Sequence, residues 1–471
     1  MRVLVGAIAL GLGLWSGTGL AAQPATVPST GSPLTLNDVL VAAGATHPQL
    51  EAAERDIEAA RGDRLAARGA WDPVVSVGGR WGLRGYYENG QLDTVVRQAT
   101  PLWGVGAYAG YRVGWGSFPV YKGQLQTLSG GELRAGIDVP LWKDGPIDAR
   151  RAKVQQTRAK VSSAECKRQA TRLKLGQQAA KAYWRWVATG QEVRIQEALL
   201  EVAKERQEGL REQAALGSLP EIFVVDNRRL VLDREAKLVS AQQDFREATL
   251  ALSLFLRDPG KNPVRAADHE VPLAIPGGYA DAPDIEADIG FALRERPELC
   301  SLLMDRQAAR VEVRLQRNQR APAINGQAFV ARDLGDGPAE LAPTEFAAGF
   351  SVKMPLALRQ ARGNYLAAQA GARRLDAQLR GLRDRIGVEV RQAWVDLDTA
   401  QRQVAVTTQQ VAVAQTLADA EREKFRQGAS DLVIVNLREI AAANAARLEV
   451  EARAAYQTAR ADYLTATGRG L

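Results

Sequence analysis

The chain has 471 residues, of which 46% are hydrophobic and 24% are charged, and its formal net charge is +7. This charge is small for the length, and basic and acidic residues alternate along predicted helices, so nucleic acid is not indicated as a partner. The two histidines lie in no cluster with metal-ligand spacing. No nucleophile elbow or phosphate loop is present. We therefore expect no enzyme activity, no cofactor, and no catalytic or metal-binding residues.

The N-terminus has the layout of a secretory signal peptide. Arg2 precedes an apolar run from Val3 to Trp15, and small residues follow at Ala21 and Ala22. The apolar run is too short for a membrane-spanning helix, so we expect residues 1–22 to be removed on export. No other stretch of about 20 apolar residues occurs, and no transmembrane helix is predicted.

The two cysteines, Cys166 and Cys300, lie in predicted helices far apart in the sequence. An exported protein with so few cysteines is not a disulfide scaffold. We expect both to occupy ordinary packing positions and to be unpaired.

The chain consists of two similar halves. Residues 46–50 (THPQL) recur as residues 295–299 (ERPEL), and Pro73 corresponds to Pro322 at the same offset. Each half has the predicted order helix, strand, long connection, strand, very long helix, tight turn and return helix. This unit is too large to be a small solenoid repeat. We assign residues 23–283 to a first structural repeat and residues 284–471 to a second.

The longest predicted helices are exceptional. After Pro140, the chain up to Gly217 contains one proline, Pro146, which lies near the start. After Pro355, the chain up to Gly428 contains none. Both segments carry apolar residues at helical spacing. At 1.5 Å per residue, such a helix is a rod of roughly 100 Å.

The remaining helices are about half as long, so a return helix stacked on a leading helix matches one long rod. The Pro- and Gly-rich segment 258–283, which we call the equatorial segment, cannot continue a helix, and we expect it to wrap the outside at mid-height. The leading helices are predicted at 34–70 and 284–320, and the return helices at 218–257 and 429–467.

Between the helices the hydrophobic period changes from 3.6 to 2. Segments of about ten residues with alternating apolar and polar side chains are typical of outer-membrane barrel strands. Two strands per repeat make four per chain, fewer than the eight of the smallest single-chain barrels, so the barrel must be shared among chains. A soluble sheet with one buried face would show the same alternation, but the signal peptide and the long helices favour the membrane. The alternation predicts that five charged residues face the barrel lumen: Arg80, Arg84, Arg134, Asp138 and Lys353.

Residues 100–118 also alternate between apolar and small or polar side chains. An odd number of membrane crossings would place the following helix outside the cell. We interpret this segment as an extracellular extension of the sheet, folded over the barrel mouth. The alternative is a fifth and a sixth crossing in the first repeat.

These features together resemble the TolC family of outer-membrane efflux and secretion channels. The resemblance covers essentially the whole mature chain. It rests on the paired motifs at 46–50 and 295–299, on the strand-to-helix connection VPLWKDG at 139–145, and on the helix turns at 216–218 and 427–432. Each motif is weak alone, but their order and spacing are specific.

The resemblance implies a mainly α-helical protein with transmembrane β-strands, located in the Gram-negative outer membrane with a long periplasmic extension. Three chains would share a twelve-stranded barrel above a helical tunnel. The turns would dock onto a periplasmic adaptor (membrane fusion protein) and an inner-membrane RND or ABC transporter, which supplies the energy. The function implied is a passive exit duct, most often for small toxic compounds. Type I protein secretion is an alternative, and a periplasmic coiled-coil adaptor is the alternative from a different class.

In the family, acidic residues just after the second turn form a gate. At the corresponding positions this chain has Ile434 and Leu437. Asp431, Asn436 and Asp226 remain gate candidates, although an N-cap of the following helix is the stronger interpretation of Asp431. Small residues at the turns favour close approach of an adaptor, and the candidate docking residues are Gly217, Ser218, Leu219, Gly428, Ala429 and Ser430.

Overall fold

A computed structural model describes residues 32–119, 126–258, 260–278 and 284–470. The predicted signal peptide at 1–22 lies outside this part of the chain. The described helices are α1 (Leu36–Thr46), α2 (Pro48–Arg68), α3 (Ala149–Ala215), α4 (Ile222–Ser253), α5 (Ile285–Glu295), α6 (Pro297–Asn318), α7 (Arg359–Arg426) and α8 (Leu432–Thr467). The described strands are β1 (Val74–Gly82), β2 (Asn89–Ala99), β3 (Gly106–Gly116), β4 (Glu132–Pro140), β5 (Ala323–Asp333) and β6 (Glu345–Lys353).

The two long helices are confirmed. Helix α3 has 67 residues and helix α7 has 68, so each is roughly 100 Å long. Helix α4 returns along α3 and α8 returns along α7, which makes two helical hairpins. Each hairpin turns through a glycine with positive φ, Gly217 at 72° and Gly428 at 74°. Only glycine adopts this conformation without a steric cost, which explains both turn positions.

The prediction of one continuous leading helix per repeat is wrong. Each leading helix is broken at the residue before a proline: His47 lies between α1 and α2, and Arg296 lies between α5 and α6. Both residues have extended backbone, with ψ of 129° and 120°. A residue before proline is pushed out of the α region, and proline fits the first helical position because it needs no N–H there.

The predicted stacking of half-length helices is confirmed. The Arg296 guanidinium donates to the Ala466 carbonyl at 3.0 Å, which joins the start of α6 to the end of α8. Helices α6 and α8 thus follow one another along α3. Within the wall, α3 is flanked by α2 on one side and by α6 on the other, and α7 follows α6.

The equatorial segment packs against the middle of the helical hairpins. Arg194 of α3 donates to the Val271 carbonyl at 2.9 Å, and Arg453 of α8 donates to the Ile275 carbonyl at 3.2 Å. Val271 and Ile275 are buried, in a core that includes Trp186 of α3. The residues just before α1 lie at the same height of the molecule, because the Leu34 N–H donates to the Glu270 carbonyl at 2.9 Å.

The expectation that the cysteines are unpaired is wrong. Cys166 of α3 and Cys300 of α6 form a disulfide that joins the first repeat to the second, with Cα atoms 5.9 Å apart. The two residues are 134 positions apart in sequence. They meet because α6 packs along α3, a contact that no sequence spacing indicates.

The described strands form one antiparallel sheet in the order β1-β2-β3-β4-β5-β6. The prediction of two strands per repeat is therefore wrong for the first repeat, which has four. The segment predicted as an extension over the mouth contains β3, a full member of the sheet between β2 and β4. The structure has the two additional strands of the alternative interpretation. Strand β2 is the second additional strand. With an even number of strands, the chain leaves the sheet at the same end at which it entered.

Within the part of the chain that the structure describes, no helix combines the length and the apolar character needed to cross a membrane.

Candidate functional site

One face of the sheet is apolar across all six strands. The strand register places Val75, Val96, Ala109, Ala135, Val330 and Phe346 in one continuous row. The side chains at both ends of this row are exposed, Val75 by 63% and Phe346 by 80%. A broad, exposed apolar face on a six-stranded sheet indicates contact with lipid or with another apolar surface.

The opposite face is polar. The register places Arg80, Arg134, Asp138 and Lys353 on it, and the prediction that these side chains face a barrel lumen stays a prediction. Arg84 lies beyond the end of β1, in the turn that leads to β2.

Asp93 of β2 organises the polar face. Its carboxylate lies 2.7 Å from the Arg134 guanidinium and 3.0 Å from that of Arg112, and all three side chains are shielded from solvent for most of their area. Without β2, Arg134 would have no such acidic neighbour. Asp93 is not among the residues predicted from the sequence, because β2, the strand that carries it, is not predicted either.

The two outer strands each have only one neighbour among the described residues. Strand β1 pairs with β2, and β6 pairs with β5, which leaves one backbone edge open on each side of the sheet. Unpaired N–H and C=O groups at such an edge are incompatible with hydrocarbon. An apolar face with two open edges therefore requires further strands beside it.

The three gate candidates have three different environments. Asp431 is the N-cap of α8, and its carboxylate accepts from the Val433 N–H at 3.0 Å. Asn436 is buried and accepts from Arg206 at 2.5 Å, whereas Asp226 is paired with Arg229 three residues later. The assignment of a gate to these residues stays a prediction.

The candidate docking residues lie at the two hairpin turns. Gly217, Ser218, Gly428 and Ala429 are exposed, and Leu219 and Ser430 are half-buried. The Ser430 hydroxyl donates to Glu421 at 2.5 Å, which fixes the second turn to the end of α7. Near these turns Ile434 and Leu437 are exposed by 42% and 62%.

A buried ionic cluster behind the turns joins both hairpins, and the sequence analysis did not predict it. Glu439 of α8 has no exposed side-chain area and accepts from Arg206 of α3, Arg234 of α4 and Arg422 of α7. The Arg234 contact is 3.1 Å and the Arg422 contact is 3.0 Å. One carboxylate thus contacts the three other long and return helices near their tips.

The pKa of Glu439 reflects this arrangement. Burial alone would raise the pKa, because it disfavours the charged form. The hydrogen bond and positive charge of Arg206, together with hydrogen bonds from Arg422 and Arg234, outweigh burial and hold the pKa below its ordinary value. A sequence clue existed: Leu432, Val435 and Glu439 share one helix face, and the first two are buried.

Within the described residues, no group of three His, Cys, Asp or Glu side chains is placed to hold a metal ion.

The architecture of long helical hairpins below an antiparallel sheet is that of TolC-like outer-membrane channels. The chain is similar to the crystal structure of the outer-membrane protein VceC from Vibrio cholerae, with 18% identity and a TM-score of 0.63 over 92% of this chain and 96% of that one. It is similar to the MtrE outer-membrane channel of Neisseria gonorrhoeae, with 14% identity and a TM-score of 0.66 over 93% of this chain and 89% of that one. It is also similar to the CmeC outer-membrane channel of Campylobacter jejuni, with 16% identity and a TM-score of 0.62 over 92% of this chain and 85% of that one.

At these identities the structural likeness establishes the fold. Residues 289–469, most of the second repeat, match the outer membrane efflux protein family. The comparison with curated proteins found no match. The chain thus has the fold of TolC-like channels, and the architecture expected from the resemblance is confirmed. The similar structures are outer-membrane proteins and channels.

Proposed function

We propose that this protein is the passive outer-membrane exit duct of a tripartite export system, and that it works as a homotrimer. Substrates would pass from an inner-membrane RND or ABC transporter, through a periplasmic adaptor, into the tunnel formed by the long helices. They would leave through the barrel. Small toxic compounds are the proposed substrate class, because their export is the commonest use in the family that the sequence resembles.

The observation that carries this proposal is the sheet. Its apolar face is exposed, its opposite face is polar, and both of its edges lack a neighbour among the described residues. Its strands have 9 to 11 residues, which is about the length that spans a bilayer in tilted barrel strands. A periplasmic coiled-coil adaptor is not expected to contain a sheet with a lipid-facing side, which argues against that alternative.

The orientation follows from the connections. The sheet is joined to one end of α3 and α7, so the hairpin turns lie roughly 100 Å away at the opposite end. With the sheet in the outer membrane, the turns at Gly217 and Gly428 point across the periplasm. This placement supports the docking of an adaptor at the turn residues.

The test is photo-crosslinking in intact cells. We would replace Ser218 and Ser430 individually with a benzophenone amino acid, irradiate, and identify the captured proteins by mass spectrometry. Tyr86, in the fully exposed turn between β1 and β2, is the control at the opposite end of the molecule.

We expect both turn positions to capture a periplasmic adaptor and the control position to capture none. The transporter that co-purifies with the adaptor would separate efflux from type I protein secretion. Capture of the adaptor from Tyr86 alone, or of only outer-membrane components from both turns, would contradict the proposed orientation and the duct.

A further inference from the structure

Helix α3 carries lysines at intervals of seven residues, at Lys153, Lys160, Lys167, Lys174 and Lys181. Seven residues are nearly two helical turns, so these side chains lie on one side of the helix. Lys181 is half-buried and lies 2.7 Å from Asp462 of α8. The first four are exposed, and we call them the lysine stripe; none forms an ion pair with the residues that the structure describes.

The half of α3 next to the sheet is strongly basic. Residues 149–181 contain ten lysines and arginines and one acidic residue, Glu165. Glu165 faces away from the stripe, since it lies about 140° to 160° around the helix from Lys160 and Lys167, and it pairs with Arg61 of α2 at 3.5 Å. Residues 182–215 contain five basic and six acidic residues. The excess of positive charge is therefore confined to the half of the helix nearest the membrane.

The fold does not require these lysines. Counting back from the turn glycines, the stripe corresponds in α7 to Asn364, Gly371, Gln378 and Arg385. Helix α7 has nearly the same length and the same place in the repeat, with one basic residue at these four positions. The stripe is thus a property of the first repeat and not of the architecture.

The stripe lies on the side of α3 that faces away from α1 and the C-terminal residues; the chain just before α1 is bonded to the equatorial segment through Leu34 and Glu270. A cavity of about 590 Å³ is bounded by Gln169, Arg172 and Gly176 of α3 together with residues of α1 and the C-terminus. At about 100° per residue, these three α3 residues lie about 140° to 160° around the helix from the neighbouring lysines. The flanks of α3 are covered by α2 and α6 of the same chain, so the stripe cannot lie in a seam between chains.

From this placement we infer that the lysine stripe lines the membrane-proximal half of the export tunnel and selects small organic anions, such as carboxylates and sulfonates, as cargo. This inference rests on the proposed duct, in which α1 and the equatorial segment are outside and the opposite side of α3 is inside. Successive lysines are separated by about 10 Å along the helix, which is close to the Debye length in physiological salt. Their potentials therefore overlap into one positive strip about 32 Å long.

The threefold assembly would bring three such strips together around one lumen. A tunnel with low-dielectric walls concentrates the field of its lining charges, which raises the local concentration of ions of opposite sign. Anionic cargo would enter this section readily and cationic cargo would be retarded. Because no acidic residue alternates with the lysines, an anion finds no repulsive position along the strip.

The test compares two double variants of the purified oligomer in planar lipid bilayers. Lys160→Gln/Lys167→Gln removes two charges from the stripe. Arg158→Gln/Arg172→Gln removes two charges from the same helix on the other side and at similar heights, and all four residues are exposed. The reversal potential in a KCl gradient gives the chloride-to-potassium permeability ratio, and release of carboxyfluorescein and of the cationic dye rhodamine 6G from proteoliposomes gives the ratio for organic ions.

We expect the unmodified channel to prefer chloride and carboxyfluorescein. The lysine double variant should lower both ratios by about threefold, and the arginine double variant should leave them unchanged. Equal or cation-selective permeation by the unmodified channel, or an equal effect of both variants, would overturn the anion assignment. A purified oligomer that forms no conducting pore would instead contradict the proposed duct, so the two failures are distinguishable.

Discussion

Glu439 is the residue on which both helical hairpins converge. Its carboxylate is the acidic partner of three guanidinium groups, one of them on the almost completely buried Arg234 side chain. Breaking a buried ion pair by removing one partner costs more than the pair itself contributes, because the remaining charge stays buried. The cluster therefore specifies how the tips of the four helices pack.

We expect Glu439→Gln to lower the free energy of unfolding by about 3 kcal/mol. The matched control is Glu451→Gln on the same helix, because Glu451 is exposed and, among the described residues, pairs only with Arg447 four residues earlier. The control substitution should lower the free energy of unfolding by about 0.5 kcal/mol or less. Denaturation followed by circular dichroism measures both, and equal losses would show that the cluster has no special role.

The same cluster predicts a loss of stability in acid. The folded-state pKa of Glu439 lies below its unfolded value. Its stabilising contribution is therefore fully present above the unfolded pKa of about 4.5 and is lost as the pH falls through the folded pKa. The difference in melting temperature between the unmodified protein and Glu439→Gln should narrow below about pH 4.5, and a constant difference down to about pH 2 would contradict this assignment.

Sequence reasoning succeeded at Asp431 and failed at Glu439 for a physical reason. An N-cap is a local interaction, because the side chain bonds to a backbone N–H two residues later. The partners of Glu439 come from helices that are up to 233 residues away. No local pattern identifies them, although a carboxylate in line with Leu432 and Val435 indicated that it would be buried.

At the scale of elements, the disulfide joins two helices that lie in different repeats. It closes a loop of 134 residues, and a loop of this size gives about 4 to 5 kcal/mol of stabilisation in the chain-entropy account. We expect Cys166→Ser/Cys300→Ser to melt at a lower temperature under oxidising conditions. Dithiothreitol should lower the melting temperature of the unmodified protein to that of the variant and leave the variant unchanged. No shift with either treatment would mean that α3 and α6 hold together without the bond.

The β2–β3 hairpin predicts an alternating pattern of accessibility. By register, Leu92 shares the apolar face with Val113, and Gln91 lies on the polar face. Single cysteines introduced at these two positions should differ, because a membrane-impermeant maleimide reaches a water-filled lumen and does not reach lipid. The native cysteines are paired and should not react. Labelling of Leu92→Cys as fast as Gln91→Cys would contradict a membrane position for β2.

Helix length was predictable and the strand count was not. Absence of proline over about 70 residues, with apolar residues at helical spacing, leaves few alternatives to a long helix. Strand β2 has no such regularity: Val95 and Val96 are adjacent, and Thr94 occupies a position on the apolar face. Its pairing with β1 and β3 determines its structure, and such non-local pairing does not appear in the strand's own sequence. The proline breaks were readable from Pro48 and Pro297, because the residue before a proline is disfavoured in a helix.

At the scale of the whole molecule, the additional hairpin changes the expected barrel. Three chains with six described strands each make eighteen strands, in place of the twelve that the resemblance implied. Barrel diameter grows roughly linearly with strand number, and barrels of about 16 to 18 strands enclose an aqueous channel. The helical tunnel, and not the barrel, would then be the narrowest part of the open duct.

Electron cryomicroscopy of the detergent-purified oligomer should therefore show eighteen strands around one lumen. The hairpin would account for the extra strands, with β2 and β3 between β1 and β4 in each chain. A barrel of twelve strands with β2 and β3 outside the wall would contradict this arrangement, while leaving the helical part unaffected.

The two open edges of the sheet also have a genetic consequence. In the proposed homotrimer, a chain with a damaged β1 edge would still present an intact β6 edge, so it could join a neighbour but could not close the ring. In a cell that makes intact and damaged chains in equal amounts, random mixing leaves only about one trimer in eight free of damaged chains. Edge mutations in this protein should therefore be dominant, whereas mutations that prevent the chain from folding at all should be recessive.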